Sequence, residues 1–346
     1  MSAVSAADDR LPAAPATTGA PAWVALEVRH ETLYRYASAV SLAQHQAHLQ
    51  PLADAFQQVM AHAIGIDPAP AFRRDSRDAF GNAQTHFSVA QPHQQLRVQA
   101  ASRLRLLARF DALQREAGPP WEAIAARLRY VAGAPFEPAV EFVPPSPYVP
   151  RLPELLAWAR PSFAPGRAVA AVALDLMHRL HAEFRYDSAS TQVDTPLAAA
   201  LAARRGVCQD FAHILIGALR GAGLPARYVS GYLLTAPPDA PGGRVPLLGA
   251  DASHAWVQAW CPGTPGVPAD GPGAGWLDLD PTNDIVPASG HVRLAIGRDY
   301  GDVAPLRGVI RGGGRHELRV AVQVRALSPA EDDDRGDDLA RSLHSA

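Results

Sequence analysis

Apolar and polar positions alternate along the first third of the chain and switch to helical spacing only later. From Trp23 to about Leu107 the pattern is strand-like. Val24 to Tyr36 is rich in β-branched and aromatic residues, and Thr85 to Val89 and Leu96 to Leu106 alternate apolar with polar positions. Between them Asp78-Ala79-Phe80-Gly81-Asn82 carries the Gly and Asn that tolerate a turn with positive φ. An antiparallel β domain over 23–110 is the expectation. Asp111 to Tyr130 predicts a helix, and the Pro-rich stretch Pro135 to Pro153 predicts an extended or polyproline segment, together a connector over 111–165.

The period then changes. Val169, Val172, Leu176 and Leu180 recur at helical spacing between Ala168 and Phe184, and Leu197 to Ala203 is a short helix. Val207 to Ala222 is a strong helix closed by Gly223, with Pro225 just beyond. Strands are expected over Arg227–Leu234, Ala255–Trp260 and Trp276–Leu279, separated by Pro/Gly-rich loops at Pro237–Gly243 and Pro262–Gly275. These elements delimit a core over 166–310, followed by a C-terminal strand within 311–327 that contains the alternating run His316 to Ala326. The ends, 1–22 (Ala/Pro/Thr-rich) and 328–346 (acidic, with Glu331-Asp332-Asp333-Asp334), read as disordered tails. No internal repeat is visible.

Composition narrows the function classes. A chain of 346 residues with 48% hydrophobic and 19% charged residues is long enough for two domains and a sizeable core. A net charge of −2 gives no pull toward nucleic acid or an anionic membrane. All 32 basic residues are arginine, so the chain has no lysine amine to offer as an acceptor. Two cysteines, Cys208 and Cys261, make no disulfide framework, and no ligand set with metal spacing stands out. The histidines from His30 to His93 are scattered and read as surface or packing residues. Met1 to Ala22 contains Asp8, Asp9 and Arg10 without an apolar core, unlike a signal peptide, and no run of about 18 apolar residues occurs. A cytoplasmic protein with no membrane partner is expected.

Chemistry concentrates in three stretches: Gly206-Val207-Cys208-Gln209-Asp210-Phe211-Ala212-His213, Asp251-Ala252-Ser253-His254-Ala255-Trp256 and Trp276-Leu277-Asp278-Leu279-Asp280-Pro281-Thr282. Cys208 falls at a helix start, where unpaired backbone N–H groups and the helix dipole stabilise a thiolate and can hold an oxyanion. His254 begins a strand whose His254, Trp256, Gln258 and Trp260 share one face, suiting a shielded general base. Asp278 and Asp280 share a face of the next strand, about 7 Å apart, and either could orient the imidazole. Asp210 complements the helix dipole, and His213, at i+5 from Cys208, reads as a packing histidine. A metal site from Cys208, His213 and His254 lacks the closed set of four ligands a structural site uses.

GVCQDFAH (206–213), GLPARYVSGYL (223–233), SHAW (253–256), WLDLDPTND (276–284) and GRDYGDVAPLRG (297–308) together resemble the bacterial transglutaminase-like proteins, relatives of the papain-like cysteine peptidases. HETLYRY (30–36) and DAFGN (78–82) resemble the β region that precedes the core in that family, so the likeness runs over roughly 24–326. The resemblance implies an α+β fold, a papain-like/transglutaminase-like core with its nucleophile helix on an antiparallel sheet, preceded by an antiparallel β domain. It implies Cys208 as nucleophile, His254 as general base and Asp280 as the orienting carboxylate, with no cofactor and no metal. Gln258 departs from the acidic residue usual after His-Ala-Trp-Val. Arg227-Tyr228 and the 297–302 segment are expected to support or line the cleft, and Tyr186 and Gln192 are candidates to assist the oxyanion.

A Cys-His-Asp set of this kind forms a thioester from an amide or peptide bond. Hydrolysis gives a peptidase or amidase acting on a peptide or protein; an amine acceptor gives a protein-glutamine transglutaminase. Hydrolysis is the expectation, with the transglutaminase and a non-catalytic binding module on the same fold as alternatives.

Overall fold

The computed structural model describes residues 23–328 except 134, 189, 235–246 and 249–252, together with 331, 332 and 339. The two tails, apart from Ser328 and those last three residues, the loop 237–243, Asp251 and Ala252 lie outside the described residues.

The alternating N-terminal pattern forms β1 (Val24–Ala47), β2 (Gln57–Asp67), β3 (Phe72–Arg77), β4 (Ala83–Val89) and β5 (His93–Leu106). They make one antiparallel sheet in the order β2-β5-β1-β4-β3. The 24-residue β1 is its spine. Residues 24–35 pair with β5 and 43–47 with β4, on either side of an irregularity between Arg35 and Val40.

The connector departs from expectation. Only α1 (Trp121–Arg127) forms in place of a helix over Asp111–Tyr130, because Pro119 and Pro120 cannot occupy a helix interior and Gly118 turns at φ +116°. The Pro-rich segment holds a 3₁₀ turn at Pro138–Phe142, and Pro153 opens α2 (Pro153–Ala159) from the first-turn position where its missing N–H costs nothing. There follow α3 (Val169–Glu183), β6 (Arg185–Tyr186), α4 (Leu197–Ala203), β7 (Arg205–Gly206), α5 (Cys208–Gly221), β8 (Ala226–Leu233), β9 (His254–Trp260), β10 (Trp276–Leu279), β11 (His291–Gly297), α6 (Tyr300–Val303), β12 (Leu306–Gly312) and β13 (His316–Ala326).

A second antiparallel sheet runs β10-β9-β8-β11. Every residue of α5 from Gln209 to Arg220 is buried, as a helix that is apolar nearly all round must be. It packs on β9 and β8 and is surrounded by α2, α3 and α4. Both β12 and β13 pair with β1, so the C-terminal segment returns to the first sheet and the α5-containing core is inserted between β5 and β12. The two sheets share one apolar core, in which Leu26, Val28, Leu104 and Leu106 join Leu215, Val257 and Leu279.

Polar side chains of the N-terminal sheet also fasten the edge of the second sheet. The Gln57 amide donates to the Arg293 carbonyl (2.7 Å) and accepts the Arg293 N–H (2.9 Å). Asn82, from the 78–82 turn, does the same at Ile296 (2.7 and 2.8 Å). Two side-chain amides thus stand in for the missing neighbour of edge strand β11. Beneath them Asp54 accepts from Arg109 and from Arg293 (2.7 Å), all three side chains being at least nine-tenths buried. Burial works against the ionised Asp54, yet the two guanidinium groups hold its carboxyl below the usual range. Asp54→Ala strands two buried cations, so we expect a loss of about 3–5 kcal/mol in stability, read as a lower denaturant midpoint at unchanged slope.

Candidate active site

Cys208 is the first residue of α5, and Val207 is the N-cap with extended backbone. Valine has no side-chain acceptor, so the cap depends on Asp210. Its Oδ2 accepts the Val207 N–H (2.8 Å) and the Thr191 hydroxyl (2.6 Å). A Cβ on Gly206 would lie 2.6 Å from the Asp210 Cβ and Oδ2, so glycine at 206 is what lets the carboxylate reach back. The segment before the helix is held as well, since Gln209 Nε2 donates to the Val193 carbonyl (2.9 Å). Tyr186 lies beside Gly206 through the parallel β6–β7 pairing, and Gln192 lies in the 191–195 loop fastened to α5. Tyr186 and Gln192 therefore belong to segments that flank Cys208.

His254 opens β9 and is buried, while Asp280 lies one residue past β10. The Asp280 backbone exchanges hydrogen bonds with Ile285 (2.9 and 3.2 Å), closing a turn over Pro281-Thr282-Asn283. His254 Nε2–H donates to Asp280 Oδ2 at 2.9 Å. With Nε2 so engaged, Nδ1 carries no fixed hydrogen bond and is the ring nitrogen left for the neighbouring Cys208 sulfur. Burial disfavours an imidazolium, but Asp280 and the Cys208 sulfur outweigh it and push the ring pKa up to about 10. Burial likewise opposes ionisation of Asp280; His254 and His291 more than compensate, and its carboxyl sits far below the usual range.

Among the described residues, five donors surround Asp280. Oδ1 accepts the N–H groups of Thr282 (3.0 Å) and Asn283 (3.2 Å), while Oδ2 accepts from His254, Asn283 Nδ2 (2.8 Å) and His291 Nε2 (3.1 Å). Among the described residues, His254, Asp280 and His291 place three possible metal-ligating atoms within 4.8 Å of one another. The same three atoms make the hydrogen bonds at Asp280 Oδ2.

The Trp256 indole orders both rings, stacked on His254 (centroids 6.1 Å, 26°) and edge-on to His291 (5.3 Å, 85°). It fits because residue 231 is glycine: a Cβ there would approach the indole to 2.3 Å.

Asp278 is elsewhere. It pairs across β10–β9 with Gln258 and interacts with Arg227 and Arg293, not with His254. The choice between the two aspartates, open in the spacing, is made by geometry: Asp280 stands on His254. Gln258 accepts from Arg227 Nε (2.7 Å), and the Arg227 guanidinium lies over Trp276 (4.0 Å). The substitution of an amide for an acid at 258 is thus local to this arginine cluster.

His213 is apart from the His254–Asp280 pair. It stacks on Tyr148 (5.6 Å), accepts the Tyr300 N–H (3.2 Å), and burial pushes its pKa down to about 3, so it is a neutral packing residue. Tyr228 contacts His213 and Tyr300 and lies near Cys208; burial, with the Cys208 sulfur second, raises its phenol well above the usual value. In the 297–302 segment Asp299 accepts the Tyr148 N–H (3.0 Å) and the Arg298 carbonyl accepts from Arg220 of α5 (2.6 Å). That segment braces the helix from the side.

His291 and Asn283 were not singled out by sequence. Asn283 has a local signal, because Asp-Pro-Thr-Asn fits a turn in which an aspartate accepts the N–H groups two and three residues on. His291 has none, lying eleven residues from Asp280 on a strand buried on both faces.

Comparison with known proteins agrees with this architecture. Residues 26–105 match the bacterial transglutaminase-like N-terminal region, and residues 157–281 match the transglutaminase-like superfamily. An uncharacterised protein of Mycobacterium tuberculosis strain H37Rv is 40% identical over 290 residues, covering 82% of this chain and 86% of the relative. One from Mycobacterium leprae is 31% identical over 306 residues, 88% and 99% of the two chains. A protein-glutamine gamma-glutamyltransferase of Pseudomonas aeruginosa is 36% identical over 84 residues, 24% of this chain and 11% of its own. A solved chain from Cytophaga hutchinsonii shares the fold at a TM-score of 0.66 and 20% identity, covering 89% of this chain and 92% of that one. The chain belongs to the transglutaminase-like superfamily, a family of cysteine-based enzymes, in the group that carries the bacterial transglutaminase-like N-terminal region.

Proposed function

We propose that the protein is a thiol acyl-transfer enzyme that opens an amide or peptide bond of a peptide or protein through a thioester on Cys208, and that water is its acceptor. The observation that carries this reading is the buried His254 Nε2–Asp280 Oδ2 hydrogen bond of 2.9 Å, which turns Nδ1 toward a cysteine at the N-terminus of α5. In the cycle, the Cys208 thiolate attacks the carbonyl carbon and the backbone N–H groups at the start of α5 stabilise the oxyanion. The His254 imidazolium gives its proton to the leaving amine, which departs as the thioester forms. Neutral His254 then takes a proton from water as its oxygen attacks the thioester; the C–S bond breaks, the acid is released, and the thiolate and imidazolium are regenerated. Cys208 is partly exposed, so a thioester on it would be open to water, the acceptor present in largest excess. That favours hydrolysis over amine transfer.

The match to the Pseudomonas aeruginosa gamma-glutamyltransferase supports the second reading, transfer to an amine. A peptide-library digest followed by mass spectrometry, with and without a labelled primary amine, separates the two. Cleavage that Cys208→Ala abolishes supports hydrolysis, whereas amine incorporation without cleavage overturns it. Cleavage equal in wild type and Cys208→Ala contradicts both.

The imidazolium donates the leaving-group proton, and the ring pKa is raised to about 10. The folded state therefore keeps the protonated ring through neutral pH and loses it only on the alkaline side. Turnover is expected to stay flat across neutral pH and to fall toward pH 10. A pH–rate profile with its descending limb near the ordinary imidazole value of about 6.5 would contradict the assignment.

A further inference from the structure

Asp280 Oδ2 is shared between two imidazoles. His254 reaches it from β9 at 2.9 Å and His291 from edge strand β11 at 3.1 Å, and His291 is 6% exposed. His291 is placed with care. The Trp256 indole stands edge-on to its ring, and β11 is pinned by the side-chain amides of Gln57 and Asn82 at Arg293 and Ile296. A buried histidine needs only one hydrogen-bond partner for its N–H, and a backbone carbonyl would serve. Here the partner is the oxygen that orients the candidate base.

We propose that His291 is a positioning residue of the Cys208–His254–Asp280 site: its Nε2–H fixes Oδ2 of Asp280 in the plane and rotamer that His254 requires. The inference rests on the thiol-enzyme reading of that site. Without the His291 bond, Oδ2 keeps only Asn283 Nδ2 beside His254, and both of those partners lie on the β9–β10 side or in the 280–285 turn. His291 alone anchors the carboxylate to the β11 edge, on the far side of β8 from β9. Among the described residues, the titratable groups that face the His254 imidazole from the packed elements are Cys208 from α5, Asp280 from the turn after β10, and His291 from β11. A loosened carboxylate stabilises the imidazolium less well, and the ring then activates the Cys208 sulfur less.

The test uses the full chain and iodoacetamide, with modification of Cys208 followed by mass spectrometry from pH 5 to pH 10. His291→Phe keeps the ring volume without a donor, and His291→Gln keeps an N–H near the position of Nε2. We expect His291→Phe to slow Cys208 alkylation about tenfold at neutral pH, since a misplacement of about 1 Å can cost up to about 10²-fold. The rate should converge with wild type at the alkaline end, where thiolate forms unaided, and His291→Gln should restore most of the loss. Cys261, fully buried, reports folding in the same spectra by staying unmodified. If Phe exposes it, His291→Asn, too short to reach Oδ2, takes its place. His291→Phe matching wild type while His254→Ala is slow overturns the proposal and leaves the enzyme reading intact. His254→Ala matching wild type overturns the enzyme reading and this inference with it.

Discussion

Cys208→Ala is expected to remove turnover by a factor of about 10⁴ or more, with the folded structure unchanged. On the proposed reading the backbone N–H groups at the start of α5 survive the substitution, and what disappears is the atom that would form the thioester. Cys208 is partly exposed at a helix start, so a methyl group there opens no cavity and the thermal midpoint should not move. His254→Ala should cost a comparable factor, because the thiol then has no acceptor for its proton and the leaving amine no donor. The double variant should be little worse than either single one, since groups that act as a unit lose their contribution together. Measurement of amide cleavage in the three variants checks this. Residual turnover above about a hundredth of wild type in Cys208→Ala would require another nucleophile, and the only other cysteine, Cys261, is fully buried with its thiol pushed well up by burial.

The second large effect separates the two aspartates. In Asp280→Asn the amide nitrogen takes the place of Oδ2, facing His254 Nε2 and losing the bonds from Asn283 Nδ2 and His291, or the place of Oδ1, where it faces the Thr282 and Asn283 N–H groups. Presenting N–H to Nε2 makes that nitrogen the acceptor and places the ring proton on Nδ1, toward the sulfur. A ring in that tautomer cannot take the thiol proton, and a loss of about 10³–10⁴ in kcat follows at nearly constant KM. Asp278→Asn removes charge from the Arg227–Arg293 cluster instead. Three buried arginines, Arg109, Arg227 and Arg293, would then share Asp54 as their carboxylate, so stability drops while kcat changes little. Steady-state kinetics and thermal melts of both variants give the comparison. A kcat deficit larger for Asp278→Asn than for Asp280→Asn would contradict the geometry of the site.

Much of this was legible in the chain because local rules governed it. Val169, Val172, Leu176 and Leu180 gave α3, and Gly223 with Pro225 placed the end of α5 to within a residue. Gly206 and Cys208 at a helix start, and His254 at the head of an alternating strand, needed only short-range pattern. What escaped was set by long-range contact. β11 is buried on both faces, so His291 to Gly297 lacks the alternation that marks a half-exposed strand. The return of β12 and β13 to β1, across more than 250 residues of chain, carries no local signature. The Asp54–Arg109–Arg293 cluster likewise draws charges from three distant segments. Choosing Asp280 over Asp278 was beyond spacing, because two residues on one strand face differ only in what faces them across the sheet.

The most direct measurement of the central claim needs no substrate: the rate of alkylation of Cys208 and Cys261 against pH, in wild type and in His254→Ala. Cys208 of wild type should react fast through neutral and mildly acidic pH, His254→Ala should lose this advantage, and Cys261 should stay unmodified in both. Cys208 reacting equally slowly in both proteins, gaining rate only at alkaline pH, would contradict a thiolate–imidazolium pair and leave a binding module on the same fold as the better description.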